Sequence, residues 1–278
     1  MALPRAQLFE FNDSAWAPPA LRESIVEALS RALTWGRMLR GLAGPFSDFL
    51  DRAGADSVLD LCSGAGGPAA ILARELARQG ARAPRFLLTD LHPHPDAWAR
   101  LASAHPGVVE YEASSVDATR IPADLGAGRV RVIINALHHF SPDLAGAILR
   151  GACERSPGVF VAEGFERNPL LFAAFAVPGL LGLYANPALA PRRKLAKAWL
   201  TWATPTALVA SVWDGLVSTL RVYTEDELRV MVAPLGDAFT WTYGTYPIGA
   251  LGRGYYFYGV RAAGARAGAA DGGRAPAG

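Results

Sequence analysis

Lysine is almost missing from this chain: in 278 residues only Lys194 and Lys197 occur, and arginine carries the remaining basic charge. Cysteine is as scarce, with two residues, Cys62 and Cys153, far apart and without CxxC spacing. That excludes a disulfide scaffold and gives no zinc-ligand pattern, so a reducing, cytoplasmic setting is expected and no metal is. An excess of one charge is absent too: 27 basic against 25 acidic residues leave +2, and no basic stripe alternates with aromatics, so nucleic acid is not an expected partner. The opening MALPRAQLFEFNDSAW lacks the apolar core of a signal peptide, so export is not expected. The most apolar stretch, Leu170 to Ala185, is shorter than the ~20 residues a spanning helix needs and contains Pro178. No internal repeat is visible. Residues 262–278 have too little apolar bulk to pack, and a disordered tail is expected there.

What the chain does have is apolar mass, 51% hydrophobic against 19% charged residues, sufficient for a full core. Its organising stretch is SVLDLCSGAGG, residues 57–67, followed directly by PAAILARELARQG. A short apolar run ends in a carboxylate, Asp60, and turns through glycines into a helix with Pro68 in its first turn. Glycine suits such a turn because the backbone must bend sharply while a ligand approaches the free N–H groups of the helix start. Gly64, Gly66 and Ala69 fit a dinucleotide fingerprint, and Asp90 ends the next apolar run where a ribose-binding acid belongs. A nicotinamide cofactor is therefore one reading. Against it, Asp60 precedes the glycines, where it would repel a pyrophosphate but attract a cationic amino group, and a third acid, Asp117, follows the third strand.

With those acids in place, the chain resembles the class I S-adenosylmethionine-dependent methyltransferases of small-molecule type. DLCSGAGG is similar to their glycine motif, LLTDL to their ribose acid, VDA to their adenine contact and VIINALHHF to their fourth strand. TPTALVASVWDGLVSTLRVYTEDEL is similar to the C-terminal part of a group of uncharacterised bacterial methyltransferases. One departure is Cys62, where the family usually has glycine. The implied fold is α/β, a Rossmann-like doubly wound seven-stranded sheet with an antiparallel last strand. Residues 1–52 form an N-terminal helical cap and 53–261 the core, with a helical insertion after the fifth strand at 166–222.

The cofactor implied is S-adenosylmethionine. Asp60, Gly64 and Gly66 are expected at its methionine end. Asp90 is expected on the ribose hydroxyls, because a carboxylate suits a vicinal diol. The resemblance then puts Leu91 beside the adenine, Val116 and Asp117 on its polar edge, and Asn135 in the cofactor wall. A helix N-cap is the plainer use of Asp117.

His138 and His139 follow the fourth strand, where an imidazole can take a proton from an alcohol, phenol or amine. His139 is the preferred base and His138 the alternative. Glu163 and Asp214 are the other ionisable groups expected to face the acceptor, unless they pair with Arg221 or Arg192. His92 and His94 lie among prolines and read as loop.

Phe9, Phe11 and Trp16 are expected to pack on the sheet edge, with a lid as the alternative. The insertion carries an apolar run and a basic patch, Arg192, Arg193, Lys194 and Lys197. A roof over an apolar or lipid-like acceptor, a homodimer interface and a peripheral membrane contact are its three open uses, the roof being favoured. The activity expected is methyl transfer to a small acceptor. The alternative is a protein of the same fold that binds the cofactor without transferring the methyl.

Overall fold

Four short runs of apolar residues are buried on both faces, which only the centre of a sheet covered on both sides allows. They are β1 (Ser57–Asp60), β2 (Arg85–Leu88), β4 (Val130–Ile134) and β5 (Gly158–Glu163). The computed structural model describes residues 3–249 and 252–262; all of the expected tail except Ala262 lies outside them. A third short strand, β3 (Val109–Tyr111), sits at one edge, and the long hairpin β6 (Phe239–Ile248) and β7 (Gly252–Arg261) closes the other.

The seven strands lie in the order β3-β2-β1-β4-β5-β7-β6. β1 to β5 are parallel, and β7 runs antiparallel to both β5 and β6. The order reverses between β1 and β4, the place where such sheets take ligands at their carboxyl ends.

Helices α3 (Gly67–Arg78), α4 (Pro95–Ala104), α5 (Ala123–Gly126) and α6 (Pro142–Cys153) make the crossovers between these strands. Ahead of the sheet come α1 (Pro19–Trp35) and α2 (Ala43–Ala53). Phe46 and Phe49 of α2 pack on Phe160 of β5, their ring centroids 5.1 and 5.2 Å away, which pins this helix to the centre of the sheet. Between β5 and the hairpin lie a 3₁₀ turn (Pro169–Phe175), α7 (Ala176–Leu189), α8 (Lys194–Ala198), a π turn (Trp199–Ala203) and α9 (Thr206–Arg221). α10 (Glu225–Val232) follows, opened by the capping box of Thr224 and Glu227.

Pro178 does not interrupt the apolar run as expected, because it falls in the first turn of α7, where its missing N–H has no helical partner to lose. α7 lies close on α1: a Cβ added to Gly182 would come within 2.7 Å of the Ala28 carbonyl oxygen. Buried Lys197, fully covered by protein, ties α8 to α1 through Glu23 at 3.0 Å and Glu27 at 2.9 Å. The inserted helices are thus fastened to the N-terminal helix above the strand ends.

Candidate functional site

The carbonyl oxygen of Asp60, at the end of β1, accepts hydrogen bonds from the hydroxyls of Ser63 and Thr89, each at 2.8 Å, and from the Thr89 N–H at 2.9 Å. The strand end and the glycine turn are locked together by these bonds. The Asp60 side chain is buried, and burial pushes its pKa up to about 7; Asp90 adds to the rise and a Ser63 hydrogen bond opposes it. No cation is among the groups acting on it. A carboxylate kept in such a place without a counter-charge fits a site for a cationic ligand group.

Two glycines of the turn do different work. Gly66 has φ +79, and a Cβ there would lie 2.7 Å from side-chain carbons of Leu88 and Leu101, so it permits close packing beneath the loop. Gly64 has φ +51 and an added Cβ would meet nothing within 4 Å, so its outer side is open. Buried Trp98 donates its indole N–H to the Gly64 carbonyl at 2.9 Å and holds the turn in place. Cys62 also takes a left-handed conformation, φ +58, which glycine adopts more readily and which costs the side chain some strain. Burial, with Asp90, Asp60 and Asp117 nearby, pushes its thiol up to about 12. The thiol is thereby kept protonated, and the three acids are placed around one loop.

Asp90 accepts the Gly64 N–H at 2.9 Å on one oxygen and the His92 N–H at 2.8 Å on the other. Each oxygen keeps a lone pair, so the carboxylate is aimed yet still able to accept a diol. Leu91 is exposed beside it, and the Val116 N–H bonds the Asp90 carbonyl at 2.9 Å. Asp117 is exposed, and one of its oxygens accepts the Thr119 N–H and hydroxyl at 2.8 and 2.7 Å. That is the local turn role, with the second oxygen left over. His94 precedes α4 as its N-cap residue, and His92 meets Asp90 through its backbone N–H.

Asn135 follows β4 directly with φ +55, a conformation asparagine tolerates better than most residues, and its side-chain oxygen accepts the Gly164 N–H at 2.6 Å. This clamp ties the ends of β4 and β5 together at the border of a second space. That space is a cavity of about 160 Å³, comparable to one that admits a benzene-sized ring. Its walls come from α1, α7, α9 and Phe172 and Phe175 of the 3₁₀ turn, and its floor holds Asn135, His138 and Phe165.

Within this floor His138 is buried, its Nδ1 2.8 Å from one oxygen of the fully buried Glu163, whose other oxygen accepts the His138 backbone N–H at 3.1 Å. A carboxylate can only accept, so Nδ1 carries the hydrogen and Nε2 presents its lone pair. His139 also lines the cavity but is partly exposed, with Nδ1 3.1 Å from Asp13 and 3.5 Å from Glu10. Both expected histidines therefore line one cavity, His138 with its ring held by a buried carboxylate and His139 with its ring at the partly exposed rim.

Asp214 also lines the cavity, as expected of a group facing it. Its oxygens accept the backbone N–H groups of Phe11 and Asn12 at 2.7 and 2.9 Å, so it anchors the N-terminal segment across the cavity. Arg221, proposed as a partner for it, instead pairs with Asp13 at 2.8 Å and Glu10 at 3.3 Å, while exposed Arg192 reaches Asp96. Although burial acts to raise it, contact with His139 and Arg221 holds the Asp13 carboxyl well below its usual range.

Glu10, His138 and His139 place possible ligand atoms within 4.8 Å of one another. Arg221 already supplies the positive charge that Glu10 and Asp13 face, and Glu163 engages His138, so the group reads as a charge network closed by protein.

Sequence reasoning missed most of this N-terminal strap. Arg5 reaches the carbonyls of His138 and Phe140 at 3.2 and 2.8 Å and lies over the Tyr223 ring, whose hydroxyl bonds Phe140 at 2.6 Å. The turn carrying both histidines is thus held from outside by residues at opposite ends of the chain. Phe9 packs on Trp213 of α9 with ring centroids 5.3 Å apart, and Phe11 and Trp16 join the cluster. These aromatics pack on one another and on α9, where a position on the sheet edge was expected.

No protein-family model matches the chain, and no curated protein matches it in sequence. Solved structures do match. The plantazolicin methyltransferase BpumL, solved with S-adenosylhomocysteine, superposes with a TM-score of 0.55 at 9% identity, covering 91% of this chain and 94% of that one. Magnesium protoporphyrin IX methyltransferase from Synechocystis gives 0.46 at 12% identity over 91% of each chain. Human N-acetylserotonin methyltransferase, solved with S-adenosylmethionine, gives 0.47 at 15% identity over 88% of this chain and 56% of that one. The likeness to BpumL establishes the class I methyltransferase fold, in agreement with the strand order.

Proposed function

We propose that this chain is an S-adenosylmethionine-dependent methyltransferase acting on a small, apolar acceptor with a hydroxyl or amine to be methylated. One observation carries the reading: the buried His138–Glu163 pair lies in the floor of an apolar cavity, with Asn135 bordering that cavity at the strand ends that also carry Asp60 and the glycine turn. Bound in the cleft, S-adenosylmethionine supplies a methyl group already activated by its sulfonium. Asp60 would pair with the ammonium end, Asp90 accept the ribose hydroxyls, and Leu91, Val116 and Asp117 border the adenine. His138 takes the acceptor's proton at Nε2, while Glu163 keeps the ring oriented and stabilises the imidazolium. The apolar walls align the acceptor and exclude water, which is most of what such a transfer requires of the protein.

Both cysteines are free, in keeping with a cytoplasmic enzyme. Among the described residues no helix is long and apolar enough to cross a membrane.

The test is turnover: S-adenosylmethionine with a panel of apolar phenols, alcohols and amines should yield S-adenosylhomocysteine and one product heavier by a methyl. Tight cofactor binding with no turnover across the panel would instead favour the same fold used without methyl transfer.

A pH dependence follows from Asp60. Its carboxyl titrates at about 7 and must be ionised to hold an ammonium, so affinity for S-adenosylhomocysteine should rise up to about tenfold from pH 6 to 8, with a proton released on binding below neutrality. Asp60→Asn should flatten that profile in calorimetry. For the free protein the sign is opposite. The folded state keeps this proton above the unfolded value of about 3.9, so its stabilisation is full below that pH and is lost as pH rises through about 7.

The cavity has its own test. A Cβ on Gly215 would lie 2.1 Å from the Phe172 ring, so Gly215→Ala must push that ring out of place. The acceptor's kcat/KM should fall by ~10-fold or more while S-adenosylhomocysteine affinity is unchanged. Equal loss in both would mean that the two spaces are not separate sites.

A further inference from the structure

The roof has an outer side that the proposed reaction does not use. Leu195 is 89% exposed, Trp199 65% and Trp202 58%, and Leu181, Tyr184 and Val209 beside them in the same helical layer are exposed as well. The Trp202 indole N–H reaches the Tyr184 carbonyl at 3.1 Å, joining the π turn to α7 in one surface. Soluble monomers rarely expose so many large apolar side chains together.

Charge is segregated in the same place. From residue 168 to residue 213 the chain has no acidic residue and four basic ones, although its net charge is only +2, so the remainder is net negative. Lys197 is buried in its pairs with α1, but Arg192, Arg193 and Lys194 are exposed immediately before Leu195. Among the described residues the acids paired with them are Asp96, against Arg192, and Glu23, against Arg193, and both pairs lie at the surface, where ion pairs contribute little.

We propose that this outer face, Tyr184 with Lys194–Trp202, is a docking surface for an anionic lipid bilayer. Tryptophan and tyrosine favour the level of the headgroups, leucine the acyl boundary just below, and the basic residues are attracted by anionic lipid. A second copy of the chain is a poorer occupant, because a twofold contact would set Arg192, Arg193 and Lys194 against their own equivalents. Docking in this way places the cavity one helix layer from the lipid, since α7 and α9 also form its walls. The inference does not depend on methyl transfer.

Co-sedimentation with phosphatidylcholine vesicles, with and without phosphatidylglycerol, tests it. The protein should pellet with the anionic vesicles, come off as salt is raised, and have its tryptophan emission quenched by brominated lipid. Arg192→Gln/Arg193→Gln/Lys194→Gln should lower the partition coefficient on the order of 10²-fold. Leu195→Gln, at a fully open position, should weaken it with no change in thermal unfolding. Failure to bind anionic vesicles at low salt, or equal binding to neutral ones, overturns the proposal. So does a lipid-free dimer that Leu195→Gln dissociates.

Discussion

Replacing His138 by glutamine is expected to lower kcat by ~10² to 10⁴-fold while leaving S-adenosylhomocysteine affinity within a factor of two or so of the parent. His138 lines the cavity with its Nδ1 engaged by Glu163, and neither residue belongs to the cleft around Asp60 and Asp90. Glu163→Gln keeps the shape but removes the charge that supports the imidazolium, so a smaller loss is expected. Because Glu163 acts through His138, the double variant should be no slower than His138→Gln alone. His139→Gln, whose partner Asp13 also pairs with Arg221, should cost far less. A reversed ranking of the two histidines would return the base to His139.

The second large effect concerns the turn itself. Gly66→Val should destabilise the fold by ~2–5 kcal/mol: about 1–2 for a left-handed backbone with a Cβ, and about 1–3 for forcing Leu88 and Leu101 apart. Gly64→Ala shares only the backbone cost, since its Cβ would meet nothing within 4 Å. Its loss should be felt instead in the cleft, as weaker S-adenosylhomocysteine binding. Urea unfolding and calorimetry on the two variants separate these outcomes. Equal destabilisation by both would contradict the division between a packing glycine and one facing a ligand.

The contrast between those glycines marks how far the sequence could be read. The alternation of strands and helices from Ser57 to Glu163 was legible because each signal is local: a continuous apolar run, a turn, an amphipathic helix. The placement of Asp60 at the end of β1 and of Asp90 just past β2 was legible for the same reason. The choice between His138 and His139 was not, because it depends on Glu163 from the neighbouring strand, 25 residues on. Asp214 was harder still: its partners, Phe11 and Asn12, lie more than 200 residues away and offer only backbone N–H groups, which leave no trace in sequence. The same holds for Arg5, which reaches the histidine turn through carbonyls. A roof was expected from the position of the insertion after the fifth strand; that α1, α7 and α9 line one cavity required knowing how those helices meet.

Calorimetric titration of the purified protein with S-adenosylhomocysteine, beside NAD as a control and with Asp90→Ala in parallel, tests the account at its centre. The expected result is micromolar binding of the homocysteine adduct, no heat with NAD, and at least tenfold weaker binding by Asp90→Ala, the loss that charge-assisted hydrogen bonds of ~1.5–3 kcal/mol imply. Binding of NAD in place of the adduct, or no binding of either, would contradict it.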